Sequence, residues 1–129
     1  MKKLFFPLLL IGALLLSGCG ESQSSSAGYQ QISQQDAKQM MDEQEVILLD
    51  VREQDEFDSG HIPGAVLLPV GTIDEESAAA VIPEKDSTVL VYCRSGNRSK
   101  AASDTLVKLG YTKVYEFGGI NTWPYDIEQ

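Results

Sequence analysis

The sequence predicts an α/β domain with a mainly parallel central sheet flanked by helices. Three observations predict it. Apolar runs of strand length recur at residues 46–51, 65–68, 88–92 and 114–117. Stretches with helical spacing of apolar residues lie between several of them. The run at 46–51, Val-Ile-Leu-Leu-Asp-Val, is nearly continuous rather than alternating, which suits a strand buried on both faces. Strands that alternate with helices build layers around a parallel sheet, and such sheets bind ligands at the carboxyl ends of their strands.

Each element has a local reason. Residues 29–32 suit a short edge strand. Ser33 is a natural helix cap, with the acidic Asp36 three residues on, and Ala37, Met40 and Met41 give the helix one apolar stripe. Pro63-Gly64 leads into the run at 65–68, and Pro69 stops it. A short helix fits within 73–82, closed by Pro83. Residues 88–92 are rich in strand formers. Residues 99–109 read as a helix with Ala102, Leu106 and Leu109 on one face and Gly110 just past its end. Residues 114–117 form the last strand, Gly118-Gly119 breaks it, and a final turn surrounds Trp123.

The first residues read as an address. Met1-Lys2-Lys3 precedes an apolar run from Leu4 to Leu16. This run is too short for a membrane-crossing helix, which needs about 20 residues. A basic start before such a run is the layout of a secretory signal. Leu16-Ser17-Gly18-Cys19 resembles the bacterial lipobox, which implies cleavage before Cys19 and lipidation of its thiol. Lipid chains contribute roughly 0.8 kcal/mol per buried methylene, so several of them anchor firmly. Residues 21–28, Glu-Ser-Gln-Ser-Ser-Ser-Ala-Gly, have little to bury and suit a flexible tether. The expected organisation is a signal peptide at 1–18, a lipidated N-terminus and tether at 19–28, and one domain at 29–129. The protein is then an extracytoplasmic lipoprotein of the cell envelope, in contact with membrane through its anchor only.

Without Lys2 and Lys3 the chain has 8 basic and 19 acidic residues, a net charge of −11. Such acidity argues against nucleic-acid binding. The cysteines are Cys19 and Cys93. Once Cys19 is lipidated, Cys93 has no partner in the chain. An unpaired thiol in a compartment that favours disulfides is either buried and inert or used chemically.

The surroundings of Cys93 favour use. It ends the strand at 88–92 and opens the run Cys93-Arg94-Ser95-Gly96-Asn97-Arg98-Ser99-Lys100. A strand, a polar glycine-containing loop and a helix aim backbone N–H groups and the positive helix end at one point. A cysteine there is a lowered-pKa nucleophile. Arg94, Arg98 and Lys100 cluster within seven positions of an acidic chain, which points to an anionic substrate.

Three stretches resemble the rhodanese family: Asp50-Val51-Arg52-Glu53 with Glu56-Phe57 and Gly60-His61-Ile62-Pro63-Gly64-Ala65; Tyr92-Cys93-Arg94-Ser95-Gly96-Asn97-Arg98-Ser99; and Gly118-Gly119 with Trp123. Their order and spacing match single-domain sulfurtransferases of that family. The resemblance implies a rhodanese-like layered fold and a Cys93 persulfide, cradled by the amides of Arg94, Ser95, Gly96, Asn97, Arg98 and Ser99. Arg94 and Arg98 are expected to attract an anionic sulfur donor such as thiosulfate, and Asp50 and Arg52 to support the site from a neighbouring strand end. His61 is expected to fix its turn rather than to move protons. A thiol or cyanide would accept the sulfur. No metal or organic cofactor is implied, and the expected form is a monomer.

Two rivals share this pattern. Cysteine phosphatases and arsenate reductases use the same fold. A phosphatase loop needs an arginine six positions after the cysteine, to clamp phosphate. Ser99 stands there, with Arg98 one position early, and no further cysteine is present to regenerate an arsenate reductase. A persulfide carrier or partner-binding module without turnover would share the first chemical step and differ in its acceptor.

Overall fold

The computed structural model describes residues 28–129. The proposed signal, Cys19 and nearly all of the tether lie outside the described residues. Five strands, β1 (Gln30–Gln31), β2 (Ile47–Asp50), β3 (Val66–Leu67), β4 (Thr88–Cys93) and β5 (Lys113–Gly119), form one sheet in the order β1-β5-β4-β2-β3. Every neighbouring pair is parallel. Four helices connect them: α1 (Gln34–Glu43), α2 (Gln54–Ser59), α3 (Glu75–Val81) and α4 (Asn97–Lys108). The predicted α/β fold with a parallel sheet and flanking helices is the observed one.

Side chains alternate along the strands and divide the core in two. On one face Leu49, Val89, Val91, Cys93 and Val114 pack with Ala78 of α3 and with Ala102 and Leu106 of α4. On the other, Leu48, Leu90, Tyr92 and Phe117 pack with Ala37 of α1, Ile62 and Trp123. Each cluster gathers most of its members below 5 % exposure, where full burial of one large apolar side chain contributes about 1.5–3 kcal/mol.

Local signals account for most boundaries. Ser33 Oγ accepts the Asp36 N–H and starts α1 as expected. Gly110, with φ +105°, follows the end of α4. Three expectations are corrected. Helix α2 was not predicted, because its six residues bury none of their side chains and show no apolar stripe. Helix α4 starts at Asn97 rather than 99. Strand β5 runs through Gly118 and Gly119 rather than ending before them. There the register with β4 shifts, so that Cys93 pairs with Gly119.

Candidate functional site

Cys93 is the last residue of a central strand, 1 % exposed. The chain then turns through Arg94, Ser95 and Gly96 into α4. Gly96 caps the helix in the left-handed region (φ +109°) and has no side chain to accept the first N–H groups. The Cys93 sulfur takes that place. It accepts the Gly96 N–H at 3.0 Å and the Ser99 N–H at 3.3 Å. Capping normally falls to Ser, Thr, Asp or Asn; here the Cys93 sulfur performs it, which explains why α4 begins two residues early.

Burial pushes the Cys93 thiol up, but hydrogen bonds from Ser99 and from the Ser99, Gly96 and Ser95 backbone outweigh it. The thiol lies below its ordinary value. A thiolate stabilised by fixed dipoles is the reactive form of cysteine. Of the six loop residues predicted to form the cradle, Ser95, Gly96 and Ser99 supply these backbone donors. Asn97 is exposed on the first turn of α4.

The loop is clamped from β5. Gly119 lies so close that a Cβ added there would stand 1.9 Å from the Arg94 carbonyl oxygen. The Asn121 N–H donates to that same oxygen at 3.1 Å. Gln34 Nε2 donates to the Gly119 carbonyl at 2.8 Å and fixes the clamp to α1. Gly119 is thus a close-approach glycine, not a strand breaker.

The two loop arginines part company. Arg94 is exposed. Arg98 is tied to α2, donating to both carboxylate oxygens of Glu56 at 2.8 and 3.0 Å. This hydrogen bond, with the Arg98 charge, holds Glu56 down to about 2, against an ordinary 4.5. The structure gives Arg98, expected to attract the anionic donor, a partner 42 residues away in sequence that takes up its fork. A short acidic helix with no apolar stripe gave no sign of this.

Asp50 and Arg52 do stand beside the site, on the other face of the sheet. Asp50 accepts from the Arg52 backbone N–H (3.0 Å), from its guanidinium (2.7–3.1 Å) and from Tyr92 Oη (2.6 Å). Arg52 also donates to the Gly60 carbonyl at 2.7 Å, and the Ile62 N–H donates to Tyr92 Oη at 3.0 Å. Tyr92 adjoins Cys93, so the network anchors the strand end that carries Cys93. His61 stacks on Phe57 with ring centroids 3.8 Å apart, and its backbone pairs with Glu128. These contacts fit the expected turn-fixing role.

Sequence reasoning missed Glu116. This β5 carboxylate is 2 % exposed. Its Oε2 accepts from Ser99 Oγ at 2.5 Å and from the Gly118 N–H at 3.0 Å; its Oε1 accepts from Gln31 Nε2 at 3.1 Å. The available signal was an acidic residue inside the apolar run Val114-Tyr115-Glu116-Phe117, since buried charges need partners.

Comparisons with known proteins place the fold in a family. A family model described as a rhodanese-like domain matches residues 33–124. The thiosulfate sulfurtransferase GlpE of Coxiella burnetii is 35% identical over 96 residues, covering 74% of this chain and 87% of GlpE. The thiosulfate sulfurtransferase PspE of Escherichia coli is 39% identical over 72 residues, covering 56% of this chain and 68% of PspE. A solved structure described as a rhodanese with anions from E. coli aligns with a TM-score of 0.61 at 30% identity, covering 66% of this chain and 99% of that one. The chain belongs to the rhodanese-like domain family.

Proposed function

We propose that this protein is a sulfurtransferase that carries sulfane sulfur as a persulfide on Cys93. One observation carries the reading: the sulfur sits at a strand end, held by the Gly96 and Ser99 amides at the start of α4. The names of the relatives GlpE and PspE support it. The Cys93 thiolate attacks the outer sulfur of a donor such as thiosulfate. A new S–S bond forms, the donor's S–S bond breaks, and sulfite leaves with the bonding pair. The outer sulfur of the persulfide then passes to a thiolate or cyanide acceptor, which returns Cys93 as thiolate. Arg94 is the exposed cation of the loop and draws the anionic donor. By the reading of residues 1–28, the domain works outside the cytoplasm on a lipid anchor at Cys19.

The test uses purified full-length protein, fully reduced and kept in mild detergent. After incubation with thiosulfate, intact mass should show one added sulfur, and cyanide should release it as thiocyanate. Cys93→Ser should abolish both signals and leave the circular dichroism spectrum unchanged. Arg94→Ala should weaken thiosulfate use about tenfold, the size of one lost charged hydrogen bond, and a neutral persulfide donor much less. No added sulfur on reduced wild-type protein would refute the reading for thiosulfate.

A further inference from the structure

The Ser99 hydroxyl has one proton and four neighbours that can take it. Glu116 Oε2 lies 2.5 Å from Ser99 Oγ, and the Cys93 sulfur lies 3.4 Å from it. The carbonyl oxygens of Gly96 (3.0 Å) and Gly118 (3.4 Å) are also in reach. A hydrogen bond from oxygen to a carboxylate is the strongest of these, and 2.5 Å is its characteristic length. The proton therefore rests on the Glu116 side, and Ser99 Oγ turns a lone pair to the sulfur. In that arrangement the Cys93 thiol donates to Ser99 Oγ. The Gly96 and Ser99 amides are fixed donors in every state; the hydroxyl is the movable one.

We infer that Glu116 is a positioning residue for Cys93: it holds the Ser99 hydroxyl as an acceptor and so opposes formation of the free thiolate. When the S–H bond breaks and its proton passes to solvent, the sulfur faces an oxygen lone pair. Ser99 must then rotate its intact O–H from Glu116 to the sulfur, and the bond to Glu116 is lost. Once the sulfur carries an outer sulfur atom, Cys93 Sγ is no longer the charged atom, and Ser99 can return to Glu116. The arrangement penalises the empty thiolate relative to both the resting thiol and the loaded persulfide. Glu116 itself is fixed by Gln31 and the Gly118 N–H, both neutral donors.

Other ionisable groups act on this corner from neighbouring elements. Arg98 of α4 interacts with the Cys93 charge and is paired with Glu56 of α2. Tyr29, ahead of β1, is raised first by burial and then by Glu116 and Asp104. The test that follows substitutes none of them, and the Ser99→Ala background carries the same Tyr29 response to Glu116 and so cancels it. The inference rests on Cys93 being the nucleophile, but its test needs no sulfur donor. Failure here would leave sulfur transfer untouched, and failure of sulfur transfer would leave this titration readable.

The experiment is the pH profile of Cys93 alkylation by iodoacetamide in the full-length protein, read at Cys93 by peptide mass. Glu116→Gln should lower the midpoint by about one pH unit, as removal of an opposing group does. In a Ser99→Ala background the same substitution should shift it by less than about a third of a unit. Ser99→Ala alone should raise the midpoint, because the donor that the thiolate recruits is lost. Equal shifts from Glu116→Gln in both backgrounds would mean a through-space charge effect and overturn the role of Ser99. No shift, or an upward one, would overturn the inference. If Glu116→Gln fails to fold, Glu116→Asp decides: its shorter carboxylate draws back from Ser99 Oγ and should lower the midpoint, and no shift or an upward one would overturn the inference.

Discussion

Two buried carboxylates flank the strand that ends in Cys93, one on each face of the sheet, and they are built differently. Asp50 is matched with a cation. Arg52 supplies two guanidinium donors and a backbone N–H, and Tyr92 adds its hydroxyl. Burial opposes the Arg52 charge, but the hydrogen bonds and charge of Asp50 raise it above its ordinary value. Glu116 is held by neutral donors and reaches the Cys93 sulfur through one hydroxyl. The closed, charge-balanced cluster suits a brace. A cluster whose hydroxyl proton can point two ways suits chemistry. Burial alone does not tell a structural carboxylate from a functional one; the identity of its donors does.

The comparison can be broken by substitution. Asp50→Asn leaves Arg52 buried without a counter-charge, which should cost about 3–5 kcal/mol. Glu116→Gln leaves no cation behind and should cost only about 1–2 kcal/mol. Urea unfolding of both variants measures the contrast, and equal losses would erase it. Gly119→Ala acts on the loop that both clusters support. The added methyl must displace the Arg94 backbone, and misplacement of reacting groups by about 1 Å costs on the order of a hundredfold in rate. Sulfur transfer should fall by that factor while the unfolding midpoint changes far less.

The smallest effect belongs to Glu56→Gln. Freed from its partner, Arg98 should join Arg94 in drawing thiosulfate and raise kcat/KM roughly two- to fivefold, the scale of an exposed ion pair. Glu56 is depressed in the folded state, so its stabilising contribution is fully present above its ordinary 4.5. That contribution is lost as pH falls through about 2. The variant should flatten this stretch of the stability profile, measured as thermal midpoint against pH. An unchanged profile would mean that the pair contributes nothing to the folded state.

Much of the fold was legible because the signals were local. Apolar runs marked β2 and β4, Ser33 marked the start of α1, and Gly110 marked the end of α4. The position of Cys93 between a strand and a helix could be read directly. What escaped depended on residues far apart in the chain. The pairing of Arg98 could not be read because Glu56 is 42 residues earlier. The true start of α4 was hidden because its cap is a sulfur from the preceding strand rather than a neighbouring polar side chain. Gly119 read as a breaker because its actual constraint, the backbone of Arg94, comes from another element. Helix α2 lacked the apolar stripe on which periodicity depends and is held at its first turn, through the Glu53–Glu56 capping box and the Arg98 pair.

A helix that borrows its cap from a reactive atom becomes a reporter of that atom's chemistry. Oxidation, alkylation or sulfur loading of Cys93 alters the acceptor seen by the Gly96 and Ser99 amides. Their NMR resonances would then follow the state of the sulfur during turnover without any attached probe. A modification that draws the sulfur out of the loop would also unpin the first turn of α4, converting a change at one atom into a change of surface that a partner can feel.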